Sequence, residues 1–231
     1  MTANTAPIAD NLVRVRASIT GAANSCARDP KDIHLLAVSK TKPVSDIVLA
    51  YEHGQRQFGE NYVQEGIEKI QQLSQYSDIL WHFIGPLQSN KSKFIAEYFD
   101  WMHSVDRLKI AKRLNEQRGV YQKPLNICIQ VNIDDENSKA GVAEHEVLSL
   151  LEQLQGLERL KCRGLMTIPK ATDNPAEQSA SFSKMHDLFK ACQKVYPDFD
   201  TLSMGMSGDM DLAIEHGSTM VRVGTGIFGA R

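Results

Sequence analysis

A lysine at the end of an apolar run is the first residue of this sequence that could do covalent chemistry. Lys40 closes the segment 33–40, Ile-His-Leu-Leu-Ala-Val-Ser-Lys. If this segment is a strand, alternation places Leu36, Val38 and Lys40 on one face. An ammonium group on an inward face is poorly solvated, which lowers its pKa and supplies the neutral amine that attacks a carbonyl. The alternative is an exposed lysine just past a strand, the usual environment of this residue type.

A glycine-rich turn near the other end of the chain is the second candidate. The segment 220–229 reads Met-Val-Arg-Val-Gly-Thr-Gly-Ile-Phe-Gly. Gly224 and Thr225 offer amide donors and a hydroxyl on a backbone that ligands can approach, as a phosphate cradle requires. Ser207, at the start of a predicted helix, would add a second hydroxyl. A plain turn and a simple N-cap stay open as alternatives. An amine beside a phosphate site indicates a phosphorylated aldehyde held as an imine.

Two more polar side chains are assigned to the same site. Arg222 shares a strand face with Met220 and Gly224, so it points inward if that register holds. A buried arginine needs a partner, either the pyridine nitrogen of pyridoxal phosphate or a carboxylate in a structural ion pair. Asn61 follows another strand and has capping-box spacing to Gln64, so it is either a helix cap or a contact to a cofactor ring substituent.

The other potential ligands indicate no metal site. His82 and His103 follow apolar runs, and we interpret them as satisfied core residues, because no His/Cys/carboxylate spacing for a metal accompanies them. The acidic run 134–136 has no organised ligand loop and is interpreted as a solvated turn. The cysteines are far apart and form no Cys-x-x-Cys, which indicates reduced structural thiols. They are Cys26, Cys128, Cys162 and Cys192.

Short strand-like runs alternate with helical patterns, which predicts an α/β fold with a parallel sheet. The predicted strands lie near 33–39, 56–59, 79–84, 101–104, 125–132, 160–166, 201–204 and 219–223. Eight is the number that closes a parallel barrel. The predicted helices lie near 44–53, 62–74, 90–97, 107–118, 143–154, 176–194 and 208–215. An amphipathic helix ending at about Arg28 precedes them. We therefore predict a single (β/α)8 TIM-type barrel domain over residues 1–231, with an extra N-terminal helix.

The helix boundaries carry signals of their own. Asn61 and Ser207 suit N-caps, and Gly54 and Gly119 suit left-handed residues at helix C-termini. In a parallel barrel, chemistry gathers where the strand-to-helix loops converge, at the carboxyl ends of the strands. Every candidate site residue named above lies near the end of a strand or just after it, so we expect them to share that end.

Composition narrows the class of protein. Of the 231 residues 23% are charged and 42% hydrophobic, and the net charge is -2, which gives no electrostatic footprint for nucleic acid. Residues 1–7 lack a basic region followed by an apolar core, and no apolar stretch reaches membrane-spanning length. We therefore expect a cytoplasmic protein with no nucleic-acid or membrane partner.

Taken together, six segments resemble the pyridoxal phosphate homeostasis protein family. They are 36–43, 58–65, 81–91, 164–166, 202–207 and 221–225. The resemblance implies a fold-type III barrel like the N-terminal domain of alanine racemases, with pyridoxal 5'-phosphate as an internal aldimine on Lys40. It further implies that Arg222 faces the pyridine nitrogen and that the phosphate site contains Ser207, Gly224 and Thr225. Asn61 would contact a ring substituent.

The resemblance implies a non-catalytic protein that holds pyridoxal phosphate and serves intracellular vitamin B6 homeostasis or cofactor delivery. The sequence ends soon after the phosphate motif, without the β domain that gives racemases a second base, and Arg222 opposes charge delocalisation into the ring. We therefore expect no enzyme activity and no catalytic residues. Apo-enzymes that receive the cofactor are the candidate partners, and the expected state is a monomer or weak homodimer.

Two other functions remain open from the sequence. One is a small pyridoxal phosphate-dependent racemase or lyase that a partner subunit completes. The other is a cofactor-free Schiff-base aldolase, in which the phosphate cradle would hold a sugar phosphate.

Overall fold

Eight parallel strands form a closed barrel in the computed structural model, which describes residues 6–136 and 140–230. Each strand pairs with its neighbours in sequence, and the last strand closes the barrel on the first. The strands are β1 (His34–Val38), β2 (Gln57–Glu60), β3 (Leu80–Phe83), β4 (Trp101–Val105), β5 (Leu125–Gln130), β6 (Leu160–Met166), β7 (Thr201–Met206) and β8 (Met220–Val223). The predicted TIM-type barrel is confirmed. The absence of a leader was predicted from residues 1–7, of which 1–5 lie outside the described chain.

Helices surround the barrel, and one precedes it as predicted. They are α1 (Ala6–Ser25), α2 (Val44–Glu52), α3 (Val63–Gln72), α4 (Ser92–Tyr98), α5 (Leu108–Gln117), α6 (Val147–Leu154), α7 (Pro175–Val195), α8 (Met210–Glu215) and α9 (Thr225–Phe228). The short helix α9 was predicted only as a glycine-rich turn. Helix α1 packs against α2, α8 and α9. No helix in the described ranges is long and apolar enough to cross a membrane.

The two predicted N-caps are wrong. Helix α3 has Tyr62 as its N-cap, not Asn61, and helix α8 has Asp209, not Ser207. Strands β2 and β7 both extend past their predicted ends. Asn61 and Ser207 therefore lie in the turns after these strands, and the helices begin later than predicted. The Asp209 carboxylate accepts a hydrogen bond from the Met206 amide at 2.5 Å, which closes the turn after β7.

Predicted helix C-termini were right at one glycine and wrong at another. Gly54 has the left-handed φ of 81° expected after α2. Gly119 does not, because α5 already ends at Gln117 and Arg118 continues in an extended conformation. Helix α1 also stops earlier than predicted, at Ser25. Ala27 there adopts a left-handed φ of 56° and turns the chain.

The strands have two different faces. Their outward side chains pack against the helices and build the main hydrophobic core, as Ala37 and Phe58 do. Alternation turns the other set into the barrel, where a small apolar cluster of Trp101, Cys128 and Met166 lies. The barrel interior also holds polar side chains, which are described with the site below. A polar interior is unusual for this fold, whose barrels are mostly filled by branched apolar residues.

Strands β6 and β7 approach too closely for a side chain at one point. A Cβ on Gly164 would lie 1.6 Å from the carbonyl oxygen of Thr201. Gly164→Ala should therefore lower the free energy of unfolding by about 1–3 kcal/mol or more, through overpacking. Gly21→Ala is the matched control, because a Cβ at Gly21 in α1 meets nothing within 4 Å. That change should raise stability by roughly 0.5–1 kcal/mol. Urea unfolding tests both, and equal midpoints would contradict the prediction.

Candidate functional site

Closure of the barrel brings the two ends of the sequence together. Strands β1 and β8 pair with Leu36 opposite Arg222, so both side chains lie on the same face. The next inward pair is Val38 with Gly224, and a Cβ on Gly224 would lie 3.2 Å from the Val38 carbonyl oxygen. Lys40 follows β1 by two residues and is half-buried. The structure therefore places Lys40 and Gly224 at the same end of the barrel, above Arg222.

Asn61 lies on the other side of the lysine. Strands β1 and β2 pair with Val38 opposite Gly59, so Lys40 and Asn61, each two residues further along, follow neighbouring strands at the same end of the barrel. The turn after β2 is tight against β3, since a Cβ on Gly85 would lie 2.1 Å from the Asn61 carbonyl oxygen. Asn61 is half-buried, and its capping role is excluded because Tyr62 is the N-cap of α3.

Hydroxyl and amide groups lie together in the turns that follow β7 and β8. Gly224 is the N-cap of α9, and Thr225 is its first residue. The first amides of a helix have no acceptor within the helix. Ser207 approaches the same turn, because a Cβ on Gly226 would lie 3.5 Å from its hydroxyl oxygen. Ser207 and Thr225 are both exposed. The arrangement has the donors that a phosphate group requires.

Arg222 is buried inside the barrel with 4% of its surface exposed. Its Nη1 donates to the Ser203 hydroxyl and its Nη2 to the Thr167 carbonyl, both at 2.9 Å. Neither of these partners is a carboxylate, so within residues 6–136 and 140–230 Arg222 does not form the structural ion pair considered from the sequence. Burial lowers the pKa of Arg222 to about 10, and the Asp209 carboxylate opposes that shift. The side chain stays charged at neutral pH, with N–H donors beyond the two used.

Two buried histidines continue from Arg222 into the barrel. His103 Nδ1 lies 3.1 Å from the Ser203 hydroxyl, and His103 Nε2 lies 2.9 Å from His82 Nδ1. Burial, and then the positive charge of Arg222, lower the pKa of His103 to about 3, and burial lowers that of His82 well below its usual value. Both rings are therefore neutral. The prediction of satisfied core histidines fits His103, whereas His82 Nε2 has no hydrogen-bond partner among the described residues.

The sequence did not predict the polar side chains that contact Arg222 or that pack behind the Lys40 turn. Thr167 and Ser203 were expected only to lie at the ends of strands, and neither was predicted as a hydrogen-bond partner of Arg222. Glu60 is fully buried and Lys69 nearly so, and they form an ion pair at 2.8 Å behind the turn that carries Lys40. Burial raises the pKa of Glu60, and Lys69 opposes this shift. The spacing of Glu65 and Lys69, which also pair, was the available signal.

The site combines the Lys40 amine, the buried Arg222 cation and the hydroxyl groups of Ser207 and Thr225. The described ranges contain no group of three or more His, Cys, Asp or Glu side chains that could hold a metal ion. The acidic run 134–136 takes part in protein contacts instead, since Asp134 accepts hydrogen bonds from Ser181 and from the Lys170 amide. The chemistry supported is recognition of a phosphorylated carbonyl compound by amine, cation and amide groups.

Comparison with known proteins gives a consistent result. Residues 11–231 match the family model of the alanine racemase N-terminal domain. Pyridoxal phosphate homeostasis proteins of Pasteurella multocida and Escherichia coli are 56% and 54% identical, each over 97% of both chains. PipY of Synechococcus elongatus, solved with PLP bound, is 37% identical with a TM-score of 0.83, over 96% of this chain and 100% of PipY. Alanine racemase of Corynebacterium glutamicum shares the fold, at 16% identity and a TM-score of 0.72 over 98% of this chain and 62% of that one.

The neutral state of His103 predicts a pH dependence. The unfolded chain protonates this histidine below a pH of roughly 6.5, but the folded protein does so only near its pKa of about 3, so stability falls as pH decreases between these values. The loss from this group at pH 5.5 should be roughly 1 kcal/mol. His103→Gln removes this loss of stability, while the other titrating groups are the same in the variant and the wild type. Urea unfolding at pH 8 and 5.5 should show the smaller drop in the variant, and equal drops would contradict the prediction.

Proposed function

We propose that this chain, which belongs to the alanine racemase N-terminal domain family and within it to the pyridoxal phosphate homeostasis proteins, holds pyridoxal 5'-phosphate reversibly at the mouth of its barrel. The observation that carries the proposal is the buried Arg222 below the turn of Lys40, with spare donors and with a hydroxyl and a carbonyl as its partners. The PLP-bound structure of PipY supports it. The whole sequence 1–231 would form one cofactor-binding domain.

Each group has a role in this proposal. The neutral amine of Lys40 attacks the aldehyde carbon, a carbon–nitrogen double bond forms and water leaves, which gives the lysine aldimine. Ser207, Thr225 and the Gly224 amide bind the phosphate. Arg222 meets the pyridine nitrogen, and its positive charge keeps that nitrogen unprotonated. Asn61 contacts a substituent of the ring.

The same arrangement supports a carrier in preference to an enzyme. A protonated ring is the stronger electron sink for carbanion chemistry on this cofactor, and a cation at the ring nitrogen weakens that sink. The names of the relatives indicate homeostasis. We propose that apo-enzymes receive the cofactor in the cytoplasm, and that the carrier is a monomer or weak homodimer. A small racemase or lyase is the alternative that the experiments below distinguish.

Lys40 should carry the cofactor. Lys40→Ala should lose the visible imine absorption that appears when pyridoxal phosphate is added, because Lys40 is the amine that follows β1, the strand paired with Arg222. Lys42→Ala is the matched control, since the Lys42 ammonium is bound to the carbonyls of Phe228 and Ala230. Borohydride reduction and peptide mapping should find the pyridoxyl group on Lys40. A label confined to Lys42 or Lys91 would refute the assignment.

Wild-type protein loaded with pyridoxal phosphate should show negligible racemase, transaminase and decarboxylase activity. Turnover of a common amino acid at about 1 per second or faster would overturn the carrier proposal.

Arg222→Glu should bind the cofactor more weakly, shift its absorption, and raise slow hydrogen exchange at the α-carbon of a bound amino acid, because an acidic group favours ring protonation. Arg222→Lys, which keeps the charge, should not raise this exchange. Unchanged spectrum and affinity in Arg222→Glu would remove Arg222 from the ring contact.

A further inference from the structure

The turn that carries Lys40 has an unusual backbone. Thr41, the residue after the lysine, adopts a left-handed φ of 62°. A β-branched residue is a genuine outlier in this region, because its side chain crowds its own backbone. Such a conformation persists only where the surrounding structure holds it, and it tends to mark a functional position. The contacts that hold this turn therefore bear on what Lys40 does.

Both peptide groups of Lys40 are held by side chains from outside the turn. The carbonyl before it, that of Ser39, accepts a hydrogen bond from Lys69 Nζ at 2.7 Å. The amide after it, that of Thr41, donates to Glu65 Oε1 at 2.6 Å. Ser39 also donates its hydroxyl to Glu60 Oε1 at 2.7 Å. The lysine is thus fixed on both sides by residues of β2 and α3.

One ammonium group joins these contacts. Besides the Ser39 carbonyl, Lys69 Nζ donates to Glu60 Oε1 at 2.8 Å and to Glu65 Oε1 at 2.6 Å. An ammonium has three donors, and all three are used. Lys69 is 5% exposed and Glu60 is fully buried. The second oxygen of Glu60 has no hydrogen-bond partner among the described residues, so this carboxylate depends on Lys69 and Ser39.

We propose that Lys69 is a positioning residue for Lys40. With Glu60 and Glu65 it forms a clamp that holds the strained Thr41 turn and thereby aims the Lys40 amine at the barrel mouth. Lys69 also offsets one of the two negative charges that Glu60 and Glu65 can carry behind the turn. Without it, their net negative charge would favour the protonated form of Lys40, which does not attack an aldehyde. This inference rests on the proposed function, in which Lys40 binds the cofactor aldehyde.

The test compares the rate of imine formation with pyridoxal phosphate across pH in wild type and in Lys69→Met. We expect the variant to be about tenfold slower or more at neutral pH, since small errors of alignment cost this much. The pH midpoint of its rate should move upward. Lys69→Arg, which keeps the charge, should keep the midpoint. Thr41→Gly removes the left-handed penalty, so adding it to Lys69→Met should restore part of the rate at high pH.

A buried cation elsewhere controls for lost stability. Arg118 is 5% exposed and donates to the carbonyls of Ala96, Phe99 and Lys123. Arg118→Met should lower the urea midpoint without changing the rate or pH profile of imine formation. Should Lys69→Met not fold, Glu65→Ala takes its place, since it removes the acceptor of the Thr41 amide from a side chain that is 27% exposed. The same slowing is expected.

The outcomes separate this inference from the proposed function. Absence of any reducible imine on Lys40 in wild type would refute the proposed function itself. If wild type forms the imine on Lys40, a folded Lys69→Met or Glu65→Ala with the wild-type rate and pH midpoint overturns the positioning role. An equal slowing in Arg118→Met overturns it too. Slowing with a raised midpoint in Lys69→Met, partly reversed by Thr41→Gly, supports it.

Discussion

Closure of the barrel by β1 and β8 is the constraint on which the site depends. The pairing of Leu36 with Arg222 joins segments from the two ends of the sequence. Since side chains in register share a face, this single pairing decides that Arg222 points into the barrel below the turn that carries Lys40. A slip of one residue would turn Arg222 outward among the helices. Closure thus builds the site and also removes the exposed sheet edges that an open sheet would leave.

The buried guanidinium of Arg222 determines which polar groups can lie beside it in the barrel interior. Burial of a charge is costly unless hydrogen bonds satisfy it, and Ser203 and Thr167 supply two. A second positive charge nearby would be repelled, and accordingly burial and Arg222 hold His103 neutral. His103 and His82 extend the hydrogen bonds from Ser203 as neutral rings. The polar interior is therefore the environment that one buried arginine requires.

The sequence predicted what depends on local periodicity. All eight strands were predicted to within about two residues, because alternation of apolar runs with helical patterns is a property of each segment. Strand phase also predicted that Lys40 and Arg222 share one end of the barrel. The N-caps at Asn61 and Ser207 were wrong because a cap depends on where the preceding strand ends. The pairing of His82 with His103 could not be predicted, since side-chain contacts between strands depend on register in three dimensions.

Two sets of polar contacts lie on opposite sides of the barrel wall. In the proposed function, one set serves the aldehyde of pyridoxal phosphate and the other serves its ring nitrogen. On the outer side, Lys69 and its carboxylates fix the peptide groups around Lys40. On the inner side, Ser203 and Thr167 fix Arg222. In the proposed function, the first set would prepare the Lys40 amine for imine formation, and the second would hold a positive charge beside the ring nitrogen and so disfavour its protonation. A site with the first set alone would suit an enzyme as well as a carrier. In the proposed function, the second set favours holding the cofactor over using it, because a positive charge at the ring nitrogen weakens the electron sink.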